Sequence, residues 1–226
     1  MRQIAILGIG VLGYNIAYHL TKEGVDVIAV DKDRHRIDRV KEFVLNAAVA
    51  DITDEEALRK LGVDKVDLAV VAMGDNIEAS ILATAIVKKF GVKEVWARAI
   101  SETQEQVLEL LGVDHVINLE EEMGRQLAFS IATPHVDRFV EITENIDLVE
   151  VEPSERFVGK SLIEADFRNR YDMNVIAIRR YVEDEEGNEK EVVKELPRAS
   201  DVIQKGDVLI VIGTSQGIEN FREAND

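Results

Sequence analysis

The chain has 226 residues, 46% of them hydrophobic, enough for one large domain or a medium domain followed by a smaller one. With 44 acidic against 27 basic residues its formal charge is −17, so a DNA or RNA backbone is repelled and nucleic acid is excluded as an expected partner. The absence of cysteine excludes a disulfide framework, a thiolate metal site and a thiolate nucleophile.

The first element, Ile4 to Leu7, is a short apolar strand that starts without a basic or small-residue leader pattern. No apolar run approaches the roughly 18 to 20 residues that span a bilayer, so a cytoplasmic protein is expected. The strand stops at Gly8-Ile9-Gly10-Val11-Leu12-Gly13 and hands over to a helix, Leu12 to Glu23, with apolar positions at Leu12, Ile16, Ala17 and Leu20. A glycine triplet between strand and helix is the dinucleotide-binding fingerprint. Gly8 makes the turn, Gly10 lets a phosphate approach the backbone and Gly13 lets helix and strand pack closely. The fingerprint calls for an acid ending the second strand, and Val27 to Val30 ends at Asp31, followed by Lys32.

Helices that end in glycine and feed a strand recur at Gly24-Val25, Gly62-Val63, Gly91-Val92 and Gly112-Val113. Further strands are predicted at Ala47 to Ala50, Leu68 to Ala72, Val95 to Ala97 and Val116 to Asn118, apolar enough to be buried on both faces of a parallel sheet. Thr53 with Glu56 and Ser101 with Gln104 have the spacing of capping boxes. Six strands alternating with helices predict an α/β, Rossmann-type domain.

Glu120 to Ile131 is predicted as a helix with an acidic first turn, and His135 to Ile146 as a short connecting helix. A small α+β domain follows, with strands at Leu148 to Val151, Val175 to Ile178 and Val208 to Ile212 and helices at Leu162 to Arg168 and Gln216 to Arg222. The charged run 183–191 reads as a solvated hairpin tip. The expected organisation is a nucleotide-binding domain at 1–134, a connecting segment at 135–146 and a C-terminal domain at 147–226.

Asp31 is expected to accept hydrogen bonds from an adenosine ribose and to repel a 2′-phosphate. Asp51-Ile52-Thr53 and the loop Ala72-Met73-Gly74-Asp75-Asn76 open onto the same crevice and can line an adenine pocket; Thr53 is equally a helix cap and the loop an ordinary helix entry. Arg98, at the fifth strand end, is a phosphate contact or a surface ion pair. His19, His35, His115 and His135 have no evident acid/base partner, and the P-loop pattern is absent, so no catalytic residue is assigned. Glu120-Glu121-Glu122 offers carboxylate oxygen to a hard cation or is a dipole-favoured first helical turn.

These residues carry a resemblance. Gly8 to Gly13, Asp31, Asp51-Ile52-Thr53, residues 72–80 and Glu122-Met123-Gly124 resemble an RCK, or KTN, domain. Phe157-Val158-Gly159-Lys160-Ser161-Leu162 and residues 203–209 resemble the small C-terminal RCK subdomain. The pattern is similar to the cytosolic regulatory subunits of Trk and Ktr potassium uptake systems. The resemblance implies a homo-oligomer, a dimer building an octameric ring, held at the inner face of the cell membrane by an integral-membrane transporter subunit. It implies an adenine nucleotide (ATP, ADP or AMP) or NAD(H) in the crevice, changing the ring's conformation. Ktr-type subunits commonly place arginine where this chain has Val11. The resemblance makes Glu120 the candidate for a divalent cation, and Arg168 and Asn174 candidates for cyclic di-AMP. An NAD-dependent oxidoreductase is the alternative, but the roughly 80 residues after Ile146 suit a regulatory module better than a substrate domain.

Overall fold

The N-terminal apolar run forms β1 (Gln3–Leu7) at the centre of a six-stranded sheet in the computed structural model, which describes residues 2–132, 136–183 and 189–225. Contacts divide the chain into two units, Met1–Glu121 and Glu122–Asp226. In the first, β1 is followed by α1 (Val11–Lys22), β2 (Asp26–Asp31), α2 (Arg34–Val40), β3 (Asn46–Val49) and α3 (Glu55–Lys60). The unit continues with β4 (Leu68–Val71), α4 (Ile77–Phe90), β5 (Glu94–Arg98), α5 (Glu102–Leu110) and β6 (His115–Ile117).

The strand order is β3-β2-β1-β4-β5-β6, parallel throughout. This is the doubly wound order, in which the chain reverses direction across the sheet between β1 and β4 and opens a crevice at their carboxyl ends. Alternate residues feed two cores. Ala5, Leu7, Ile28, Val30, Ala69 and Val71 pack on one face, and Ile4, Ile6, Val27, Ala29, Leu68 and Val70 on the other. Burial on both faces is why these strands read as unbroken apolar runs.

The glycine stops are left-handed, with φ of 76° at Gly24, 81° at Gly62, 76° at Gly91 and 73° at Gly112, so each helix ends where the sequence places a residue without Cβ. The cap at Thr53 is corrected. α3 is capped one residue later by Asp54, whose Oδ1 accepts the Ala57 amide at 3.0 Å, because the Thr53 amide and hydroxyl both donate to Asp51. Ser101 does cap α5, accepting the Gln104 amide at 3.3 Å. The Gln104 side chain instead turns inward, to the Ile100 amide, Ser80 Oγ and the Arg98 carbonyl.

α6 (Leu119–Ala132) carries the chain into the second unit. There β7 (Val136–Thr143), β8 (Ile146–Val151), β9 (Met173–Glu183), β10 (Glu189–Glu195) and β11 (Val208–Thr214) form an antiparallel sheet ordered β10-β9-β11-β8-β7. The expected connecting helix is corrected to β7: its β-branched Val136, Val140, Ile142 and Thr143 favour a strand over a helix, and the segment pairs antiparallel with β8. His135 lies outside the described residues, as does most of the charged tip, 184–188. The single helix expected from Leu162 breaks into α7 (Leu162–Ala165) and α8 (Phe167–Tyr171), because Asp166 between them is left-handed with φ of 50°. With α9 (Ser215–Asn225) these helices cover a core of Phe157, Phe167 and Phe221 against Val149, Val151, Leu209 and Val211.

Candidate functional site

Gly8 leaves β1 with φ of 94°, and a Cβ there would stand 2.5 Å from Met73 Cγ of the β4–α4 loop. Its amide donates to the Val30 carbonyl at 2.8 Å, tying the turn to β2. A Cβ on Gly13 would lie 2.0 Å from the Gly8 carbonyl oxygen, so only glycine lets α1 pack this close to the turn. At Gly10 a Cβ would meet nothing within 4 Å. Gly10 caps α1 without a side-chain hydrogen bond, leaving an open space before the positive end of the helix. Val11 is 85% exposed beside it, while Ile9 is buried and Leu12 packs on the core.

Asp31 ends β2 and is 5% exposed. Its Oδ2 accepts the Ile9 amide at 2.7 Å, its Oδ1 accepts the Asp33 amide at 2.8 Å, and Arg36 Nη1 reaches Oδ2 at 3.4 Å. The carboxylate thus fastens the glycine turn to the β2–α2 loop before any ligand is considered. Burying it is tolerable because these donors replace water.

Gly8, Asp31, Lys32, Asp51, Ile52, Thr53, Met73 and Asn76, all singled out from the sequence, line one cavity of about 510 Å³. Ile9 and Gly10 form the adjoining turn, and Val11 to Gly13 open α1. Asp51 accepts the Thr53 amide at 2.9 Å and its hydroxyl at 2.7 Å; those bonds, with nearby Lys32, hold its carboxyl below the usual carboxylate range. Asn76 caps α4, accepting the Ala79 amide at 2.9 Å. Asp75, within the loop expected to open onto the crevice, lines the cavity too, whereas Asp33, Arg36, Glu78, Ala79 and Leu82, which also line it, were given no ligand role by sequence reasoning. The helical start after Asp31 was the available signal for Arg36, since it returns that side chain toward the strand end.

The other candidates lie elsewhere. Ala72 is buried, its amide on the Leu7 carbonyl at 2.8 Å, and Gly74 lies against Arg98, so that a Cβ would be 2.6 Å from Arg98 Nη1. Arg98 is not among the cavity's lining residues; its Nη2 is ion-paired with Glu120 Oε1 and its buried Nε has no hydrogen-bond partner. Glu120 is committed to that pair, and the described residues contain no group of three or more metal-ligating side chains. In the second unit Arg168 and Asn174 are brought together, Nη1 donating to Oδ1 at 3.1 Å.

Fold and site define a class: a doubly wound domain whose glycine turn and buried acid border an open crevice, joined to a small antiparallel domain. A family model for the TrkA-N domain matches residues 4–119 and one for the TrkA-C domain matches 148–225. The chain belongs to the TrkA-N/TrkA-C family of potassium uptake proteins. It is 35% identical to Ktr system potassium uptake protein C of Bacillus subtilis, over 98% of this chain and 96% of that one. It is 32% identical to Ktr system potassium uptake protein A of Vibrio alginolyticus, over 97% and 96%. Among solved structures, the GsuK channel superposes with a TM-score of 0.69 at 17% identity, over 99% of this chain. This chain spans 39% of that one. A Kef C-terminal domain of Shewanella denitrificans in its AMP-bound form gives 0.51 at 20% identity, over 58% of this chain and 80% of that one. These structural likenesses are likenesses of fold. No helix among the described residues is long and apolar enough to cross a membrane.

Proposed function

We propose that this chain is a nucleotide-sensing regulatory subunit of a membrane potassium-transport system, and that its crevice takes an adenine nucleotide or NAD(H). The observation that carries the reading is the buried Asp31 carboxylate bonded to the glycine turn at the edge of the cavity. The residues fit the ligand. A carboxylate at a strand end matches a ribose diol, the space at Gly10 matches a phosphate before a helix start, and about 510 Å³ lies within the range of small-molecule sites. A GsuK channel structure bound to NAD shares this fold, with a TM-score of 0.65, and full-length relatives are named potassium uptake proteins, which favours regulation over dehydrogenation.

In this reading the nucleotide supplies the ribose hydroxyls and the negative charge. Asp31 accepts from the hydroxyls, the start of α1 faces the phosphates, and Thr53, Met73 and Asn76 border the base. A ligand shifts a gate only by its differential affinity for two states. Arg98, seated against Gly74 and paired with Glu120, links the β4–α4 loop to the start of α6 and supplies a path for that shift. A divalent cation at Glu120 has to compete with the Arg98 guanidinium. Arg168 and Asn174 offer a cation and an amide to a second anionic ligand such as cyclic di-AMP. Ile77 and Leu82 on α4, 41% and 46% exposed, offer an apolar surface to a second copy, and a ring of such copies beneath the transporter completes the assembly.

Gentle purification from membranes of the source cell tests the reading. A co-purifying potassium-transport membrane protein and an adenine nucleotide identified by mass spectrometry are expected. A chain that comes away alone and binds neither AMP nor NADH contradicts it.

A further inference from the structure

Arg36 occupies a position in the crevice that the nucleotide reading leaves without a role. Its side chain is 39% exposed and reaches from α2 to acids of two loops: Nη1 to Asp31 Oδ2 at 3.4 Å, Nε to Asp33 Oδ2 at 3.8 Å and Nη2 to Asp75 Oδ2 at 3.9 Å. Asp31 and Asp33 stand on the β2 side and Asp75 on the β4–α4 loop, so like charges face each other with this guanidinium among them. All three separations exceed the roughly 2.7 to 2.9 Å of a committed charge-assisted bond, so exchanging one partner costs little.

A count of lone pairs on Asp31 gives Arg36 its consequence. Each carboxylate oxygen offers two acceptor sites. Oδ1 uses one for the Asp33 amide and keeps one; Oδ2 uses one for the Ile9 amide and presents the other to Arg36. A ribose held through both its 2′- and 3′-hydroxyls, one on each oxygen, therefore needs the place that Arg36 holds. A 2′-deoxyribose has one donor and binds to the free site on Oδ1 without disturbing the arginine. We infer that Arg36 is a specificity-determining residue of the crevice: it competes with the ribose for Asp31, and a bound ribonucleotide turns it toward Asp75. This rests on the nucleotide reading of the same site.

The test compares AMP with 2′-deoxy-AMP, whose charges are equal, by calorimetry on the full chain and on its Arg36→Gln variant. Losing the cation weakens both ligands alike through their phosphate, so the ratio of their dissociation constants isolates the competition. Arg36→Gln is expected to widen the preference for AMP about three- to fivefold, the size of an exposed ion pair of up to about 1 kcal/mol. A ratio that is unchanged or narrower overturns the inference. Wild type that binds neither nucleotide overturns the functional reading instead. Thermal melts accompany both proteins, and Arg36→Lys, which keeps the charge but loses the planar fork, is expected to fall between them.

Discussion

The Asp31 carboxylate, at the end of β2, accepts a 2.7 Å hydrogen bond from the Ile9 amide within the glycine turn. One acid therefore builds the turn and faces the cavity, and its removal is felt twice. Asp31→Ala leaves the Ile9 and Asp33 amides without their acceptor, a loss of about 2 to 4 kcal/mol in urea denaturation. Asp31→Asn, which keeps an acceptor oxygen, is expected to lose less while still weakening AMP. Equal stability of wild type and Asp31→Ala would remove the acid from its structural role.

The glycines of the turn separate in the same assay. Gly13→Ala places a Cβ 2.0 Å from the Gly8 carbonyl, within backbone that cannot yield, and is expected to cost about 3 kcal/mol or more, or to prevent folding. Gly10→Ala meets nothing within 4 Å and is expected to change stability by no more than about 1 kcal/mol. Its effect falls on the ligand, because the new methyl enters the space before α1. Nucleotide affinity unaffected by Gly10→Ala would place the phosphate elsewhere.

The Arg98–Glu120 pair is expected to carry the response to nucleotide rather than its binding. Glu120 is 57% exposed, so Glu120→Gln changes stability by at most about 1 kcal/mol and leaves AMP affinity within about twofold. Hydrogen exchange reads the coupling. AMP is expected to alter protection over residues 119–124 in wild type and to leave it unaltered in Glu120→Gln. An identical AMP-dependent change in both proteins rules the pair out as the link.

Acid sensitivity follows from carboxylates bonded to sheet amides. The Val95 amide, 2.8 Å from Asp114, and the Gln3 amide, 3.0 Å from Asp67, are the leading causes that hold these carboxyls below their ordinary 3.8. A lowered folded pKa contributes stability above the unfolded value and loses it as pH falls through the folded one. Stability from these groups is therefore flat from pH 7 to about 5 and falls below about 4. In urea titrations the deficit of Asp114→Asn is expected to be full at pH 7 and to shrink steadily in that acid range. A deficit that persists unchanged there contradicts the assignment.

The first unit was legible in the sequence because its signals are local. Strands such as Val27 to Val30 are buried on both faces, and the ends of α1, α3, α4 and α5 are marked by glycines that the backbone needs at positive φ. The second unit was less so. All of β10 is exposed, and in β7 the charged residues Asp137, Arg138 and Glu141 interrupt an apolar pattern that only its pairing with β8 completes. At the site, residue types at strand ends were readable, but Arg36 was only half so: its approach to Asp31 is local to the β2–α2 turn, whereas its contact with Asp75 exists only once two loops are brought side by side. Arg98 stands at its predicted strand end yet turns to Glu120, a choice between acids that spacing does not encode.

Potassium flux through the reconstituted membrane partner, measured while AMP, ADP, ATP and NADH are exchanged over the bound chain, tests the central claim most directly. The account predicts flux that depends on the chain and changes with the nucleotide, and a response that weakens in Asp31→Asn in step with its lost affinity. Flux that requires the chain yet stays the same with every nucleotide, although each is verified to be bound, would contradict nucleotide-controlled gating and leave the crevice a structural cofactor site.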